Sequence, residues 1–197
     1  MGISNIWVFS QESNGTATSG TLELLTHART LGGSVTAFVG GDASAIAGIL
    51  GEYGASKVYA TGDLGGALPG AAVASAMKAV IDGGDSPDLI LFPQNYEGRD
   101  VMSRLSVKVD RTVLTNNVAV AVDGDTVTVT TPVFGGNTLV STSFSGSAPY
   151  LAAFRPKSFA AESAGGGRSG ARPRFDRRCN SYRSACRRVD RSETRRG

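Results

Sequence analysis

The stretch PQNYEGRD (93–100) carries the most chemistry in this chain. It leaves an apolar run and enters an amphipathic one, so Asn95, Gly98 and Arg99 stand where a strand hands over to a helix. In open α/β sheets, ligands collect at such carboxyl ends of strands. A glycine and the first-turn amides of the helix can approach an anion there, with Arg99 adding positive charge. Asp100 suits a helix cap or a first-turn acid, and a capped strand-to-helix turn is the plainer reading of the whole stretch.

Other reactive groups are sparse. His27, the single histidine, lies one helical turn after Glu23 and reads as the solvated partner of an i, i+4 pair, with no Ser or Cys elbow beside it. Asp82 with Asp85, and Asp123 with Asp125, fall in turns where Asp serves conformation. Gly40-Gly41 and Gly65-Gly66 follow strand ends, yet neither matches a dinucleotide fingerprint and no phosphate-loop lysine motif occurs. Cys179 and Cys186, far from His27, do not make a zinc site. The residues therefore predict no catalytic group and no metal site, and Asn95, Gly98 and Arg99 remain as anion-loop candidates.

The elements that would position these groups can be read from periodicity. NIWVF (5–9), SVTAFV (34–39), KVYA (57–60) and DLILFP (88–93) are apolar enough for parallel strands. Between them, 21–33 carries a helical stripe through Leu22, Leu25 and Ala28. A second stripe runs through Ile46, Ile49, Leu50 and Tyr53 after a cap at Asp42, and a third through Val73, Ala76, Met77 and Val80 after Pro69. Residues 98–109 form the helix after the fourth strand. This order predicts a doubly wound, mostly parallel, Rossmann-like sheet with right-handed crossovers and helices on both faces. Residues 116–146 instead alternate with period two around Asp123-Gly124 and Gly135-Gly136, which predicts an antiparallel hairpin extension. PYLAAFRP (149–156) reads as a last strand, with no element after Phe159. Trp7 and Tyr53 read as core aromatics.

Charge divides the chain in two. The net +3 of all 197 residues averages a tail from Arg168 onward, with 11 Arg against three acids, and a body that is net −5. The pI near 9.1 thus belongs to the tail, and nucleic-acid binding does not follow from it. Residues 1–159 read as one α/β domain. Residues 160–197 read as an Arg-rich disordered tail of the composition that an out-of-frame reading of GC-rich DNA produces. The body has no uninterrupted apolar run long enough to cross a membrane and no secretory signal, which predicts a cytoplasmic protein without membrane insertion.

The segments LELLTHARTLGGSVTAFVGG, YGASKVYA, PDLILFPQNYEGRDVMSRLSVKV, PVFGGNTLVST and AAFRPKSF, in this order, resemble the N-terminal domain of electron-transfer flavoprotein α subunits. The resemblance covers residues 5 to about 159. It implies a scaffold of the adenine-nucleotide-hydrolase-like fold that packs on a β subunit in a FAD-containing heterodimer. Such heterodimers take electrons from acyl-CoA dehydrogenases in fatty acid β-oxidation and pass them toward the respiratory chain. In that family a C-terminal α domain holds the FAD. No sequence of that kind follows here, so no FAD-contacting residue is carried over. The expectation is a truncated subunit that binds no FAD alone and self-associates through its uncovered apolar surface. The alternative is a stand-alone adenine-nucleotide-binding module of the universal-stress type, which the shared architecture also allows.

Overall fold

The computed structural model describes residues 2–164 and the backbone of 174–176. In chain order, β1 (Asn5–Ser10) is followed by the small hairpin β2 (Glu12–Ser13) and β3 (Thr16–Ala17), then α1 (Ser19–Ala28), β4 (Ser34–Val39) and α2 (Ala47–Glu52). Next come β5 (Lys57–Ala60), α3 (Pro69–Asp82), β6 (Leu89–Pro93) and α4 (Tyr96–Val109). The remaining strands are β7 (Val113–Asn117), β8 (Ala119–Asp123), β9 (Thr126–Val133), β10 (Thr138–Ser143), β11 (Tyr150–Phe154) and β12 (Arg174–Asp176).

The main sheet is parallel throughout, in the order β12-β5-β4-β1-β6-β11-β7. Successive strand residues point to opposite faces, and both faces are covered. Ile6 and Val8 of β1 join Val35, Leu89 and Leu91 beneath α1 and α2. Trp7 and Phe9 join Ile90 and Phe92 beneath α3 and α4. On the second face Trp7, Phe38 and Tyr59 form a ring cluster with centroids 5.4 to 5.8 Å apart. Each such pair contributes about 0.5–1.5 kcal/mol beyond the area it buries.

The period-two segment makes a second sheet, β10-β9-β8, antiparallel. Its Val120, Val127 and Val129 enter the core on the α1 side. Asn117, wholly buried, joins the two sheets: its amide donates to Leu114 O at 2.8 Å and Ala153 O at 2.9 Å, and its Oδ1 accepts from Thr131 Oγ1 at 2.8 Å.

The expected doubly wound sheet with an antiparallel extension is what forms, with differences of detail. Residues 113–115, for which no element is expected, and Asn116 and Asn117, expected in the antiparallel extension, together make the parallel strand β7, and β11 inserts between it and β6. The polar Asn116 and Asn117 hide that strand in the sequence; their side chains bond Arg155, Leu114 and Ala153 and form no apolar stripe. The second helix is shorter than its stripe, and Asp42 does not cap it; its carboxylate accepts from Ser44 N and Oγ instead. The turn at Gly135-Gly136 does use positive φ (71° and 95°), but within a 3-10 turn from Phe134 to Gly136. The expectation of no element after Phe159 is corrected by β12, which pairs with β5. Apart from that strand, the expected disorder of the tail concerns residues that, beyond Ala164, lie outside the described ones.

Candidate functional site

The winding reverses between β1 and β6, so the crevice at their carboxyl ends is where this architecture places ligands. Here it is bridged by the protein's own side chains. Gln11, just past β1, accepts from Asn95 Nδ2 at its Oε1 (2.5 Å) and donates from Nε2 to Glu97 Oε2 (2.5 Å). Its main chain is held as well, Gln11 N donating to Thr21 Oγ1 at 2.9 Å in α1.

The structure places the three anion-loop candidates at the start of α4, already engaged. Asn95 is the N-cap, its Oδ1 accepting from Gly98 N at 2.8 Å. A Cβ at Gly98 would lie 2.0 Å from Pro93 O, so glycine is required there for helix to pack on strand. The Arg99 guanidinium turns outward over the exposed Tyr96 ring, 5.2 Å from its centroid, with Nε donating to Asn95 O at 3.3 Å. Asp100 pairs with Arg104 at 2.7 Å and packs on Gly70, where a Cβ would meet its carboxylate at 1.7 Å. A capped strand-to-helix turn accounts for all of these positions.

Two hollows flank the bridge. One of about 140 Å³ lies between the start of α1 and the ends of β6 and β11, beside Gln94, Asn95 and Arg155. The other, about 460 Å³, lies over the ends of β1, β4 and β5. Among the described residues, Glu12, Asp42, Asp63 and Glu97 line it together with Gly40 and Gly41. Hydrogen bonds from the Ser44 hydroxyl and amide hold the Asp42 carboxyl below its ordinary range, so it stays charged. The carboxylates of Glu12, Asp42 and Glu97 disfavour a phosphate beside them, which weighs against an adenine nucleotide in this hollow. Among the described residues, no group of three or more His, Cys, Asp or Glu side chains is placed to hold a metal ion, and no helix is long and apolar enough to cross a membrane.

Two further groups of titratable side chains serve the scaffold. At the opposite end of the sheet, Lys57 Nζ donates to Asp85 Oδ2 at 2.6 Å, and Tyr59 OH donates to the same oxygen at 2.5 Å. Burial alone would raise the Asp85 pKa, but these two hydrogen bonds prevail and hold it below its ordinary value. His27 is not the solvated half of a pair with Glu23. Its ring stacks on Phe159, centroids 4.0 Å apart and planes 9° from parallel, and Nε2 faces Val120 O at 3.4 Å. Burial lowers its pKa below 6.5, the Val120 carbonyl offsetting this only in part. The folded state therefore binds this proton less readily than the unfolded chain. The contribution of His27 to stability is fully present above about pH 6.5 and is lost as pH falls through that value toward the lowered folded pKa. His27→Phe keeps the stack and removes the proton, so denaturant melts from pH 8 to pH 5 are expected to show a shallower acid decline in this variant than in wild type.

The outer edge of β10 pairs with no strand among the described residues. The strand reads TLVSTS, without charge or proline, and Leu139 is 64% exposed and Val140 42%. Phe134, in the turn that leads into it, is 81% exposed. The register pairs Ser143 with Thr128, and Phe144 N donates to Val127 O at 3.0 Å. That bond marks Ser143–Thr128 as a non-hydrogen-bonded pair, so by alternation Ser141–Thr130 and Leu139–Pro132 are too. Pro132, which has no N–H, fits that assignment. The N–H groups of Leu139, Ser141 and Ser143 thus point away from β9. Soluble proteins ordinarily blunt such an edge with Lys, Pro or a bulge.

These features describe a nucleotide-type α/β scaffold whose ligand crevice is bridged and whose hairpin sheet offers a strand edge. The electron transfer flavoprotein domain model matches residues 6–177. The electron transfer flavoprotein subunit alpha of Syntrophomonas wolfei is 30% identical over 153 residues, 76% of this chain and 47% of that protein. The chain belongs to the electron transfer flavoprotein family, as an N-terminal domain of the α type. It spans about half the length of the curated relative it matches.

The family implies FAD, and neither of the two hollows fits it. A flavin dinucleotide needs a pocket toward the top of the range of about 300–1,000 Å³, with donors or cations for its pyrophosphate. The smaller hollow has about 140 Å³, and the larger, about 460 Å³, has Glu12, Asp42 and Glu97 among its lining residues.

Proposed function

We propose that this chain is the α-type docking half of an electron transfer flavoprotein, pairing in the cytoplasm with a β subunit through the outer edge of β10. In the heterodimer, FAD would be held by polypeptide other than the residues described above. It supplies the electron chemistry, taking electrons from acyl-CoA dehydrogenases toward the respiratory chain. The observation that carries this reading is the uncharged edge with three outward N–H groups and apolar Phe134, Leu139 and Val140 beside it. An added strand gains affinity from main-chain hydrogen bonds and specificity from side chains alternating along it.

The test mixes the purified chain with a family β subunit and measures association by sedimentation and calorimetry. A one-to-one complex is expected, while the chain alone is expected to give no heat with ATP, AMP or FAD. Absence of any complex at micromolar concentration, or tight binding of ATP by the chain alone, would overturn the reading.

A further inference from the structure

After β11 the chain turns back over α1, gripped at each step. Lys157 N donates to Glu23 Oε2 at 2.8 Å. Phe159 lies flat on His27 and meets Phe154 with ring centroids 5.4 Å apart. Glu162 N donates to Thr26 Oγ1 at 3.1 Å, and that hydroxyl faces Glu162 O at 3.2 Å. Ala164 N donates to Glu52 O at 2.8 Å, at the end of α2. Glu23, Thr26 and His27 occupy one face of α1, and Glu23 and Thr26 are both buried. Polar residues at such positions would be a defect without partners, and residues 157–162 supply them.

We propose that residues 155–164 are a clasp, closed by Phe159 on His27, that sets the direction in which the chain continues past the domain. The closed clasp brings the chain to the end of α2, the helix that leads into β5, and Arg174–Asp176 pairs with β5. Ala160 to Ala164 are exposed and bury little apolar surface, while ordering each residue's backbone costs about 1–2 kcal/mol. The Phe159 ring is the main apolar anchor, so its loss opens the segment while the sheet stays folded. His27 also touches Val120 of β8, which ties the clasp to the hairpin sheet. The proposal does not depend on the identity of any partner.

Two readouts on the full chain test it. In wild type, hydrogen exchange at the Lys157, Glu162 and Ala164 amides is expected to be slowed by at least ~10-fold relative to unbonded amides, as in a locally closed segment. Trypsin is expected to cut the Lys157–Ser158 bond at least ~10-fold faster in Phe159→Ala than in wild type, with β1 and β6 amides equally protected in both. His27→Phe, which keeps a stacked ring, is expected to stay near the wild-type rate. Exchange at those three amides as fast as in an unstructured peptide, or equal cutting of wild type and a folded Phe159→Ala, would overturn the clasp. If Phe159→Ala fails to fold, wild-type exchange alone decides.

Discussion

Gly98→Ala is expected to lower stability by about 3 kcal/mol, the upper part of the range for single substitutions. The new methyl carbon would meet Pro93 O at 2.0 Å and Asn95 Oδ1 at 3.1 Å. The first contact is with backbone at the end of β6, which cannot rotate away. Relief requires the first turn of α4 to lift, which breaks the Asn95 cap on Gly98 N and then the Gln11 bridge. For a chain of this size the melting temperature should fall by roughly 6–12 °C. Gly48→Ala is the matched control. A Cβ there meets nothing within 4 Å in α2, so stability should hold or rise by up to about 1 kcal/mol. Denaturant unfolding of both variants separates packing from ligand contact. A Gly98→Ala protein as stable as wild type would mean that the close approach of helix to strand is not what requires glycine there.

Ser141→Pro should weaken association with a β subunit by roughly 30-fold, the equivalent of about 2 kcal/mol for one lost main-chain hydrogen bond and the acceptor left unpaired. The Ser141 N–H points away from β9, so removing it leaves the intramolecular ladder whole, and proline is tolerated on an edge strand in that orientation. Val140→Pro behaves differently, because the Val140 N–H faces Thr131 across the β9–β10 ladder. It should reduce stability of the isolated chain as well as binding. Calorimetric titration of both variants, with melts of each chain alone, checks the pair. Full affinity in a folded Ser141→Pro chain would move the docking surface away from this edge.

Some elements were legible because their signal is local. SVTAFV and KVYA became β4 and β5 with the bounds that their runs suggest, since a strand covered on both faces is mostly apolar. Pro69 and Gly83–Gly84 bracketed α3 for backbone reasons that need no neighbour, Gly84 taking a positive φ of 94°. β7 was not legible, because the side chains of its Asn116 and Asn117 bond Arg155, just past β11, Thr131 of β9 and Ala153 of β11, and break any periodic pattern. His27 shows the same limit. Its spacing from Glu23 suggests a wet helix face, yet Phe159 and Val120 arrive from distant parts of the chain and bury it.

By itself, then, the order of apolar and amphipathic runs determined the class of fold, the two sheets and the acidic character of the body, because periodicity and charge are carried by each segment alone. Only the tertiary structure decided what the crevice does. Asn95, Gly98 and Arg99 stand where an anion loop would have them, but Asn95 caps the Gly98 amide and bonds Gln11, Pro93 packs against Gly98, and the Arg99 guanidinium turns over Tyr96. Whether a polar group is offered to a ligand or spent on a neighbour depends on which strands lie side by side, and that adjacency is a property of the whole sheet.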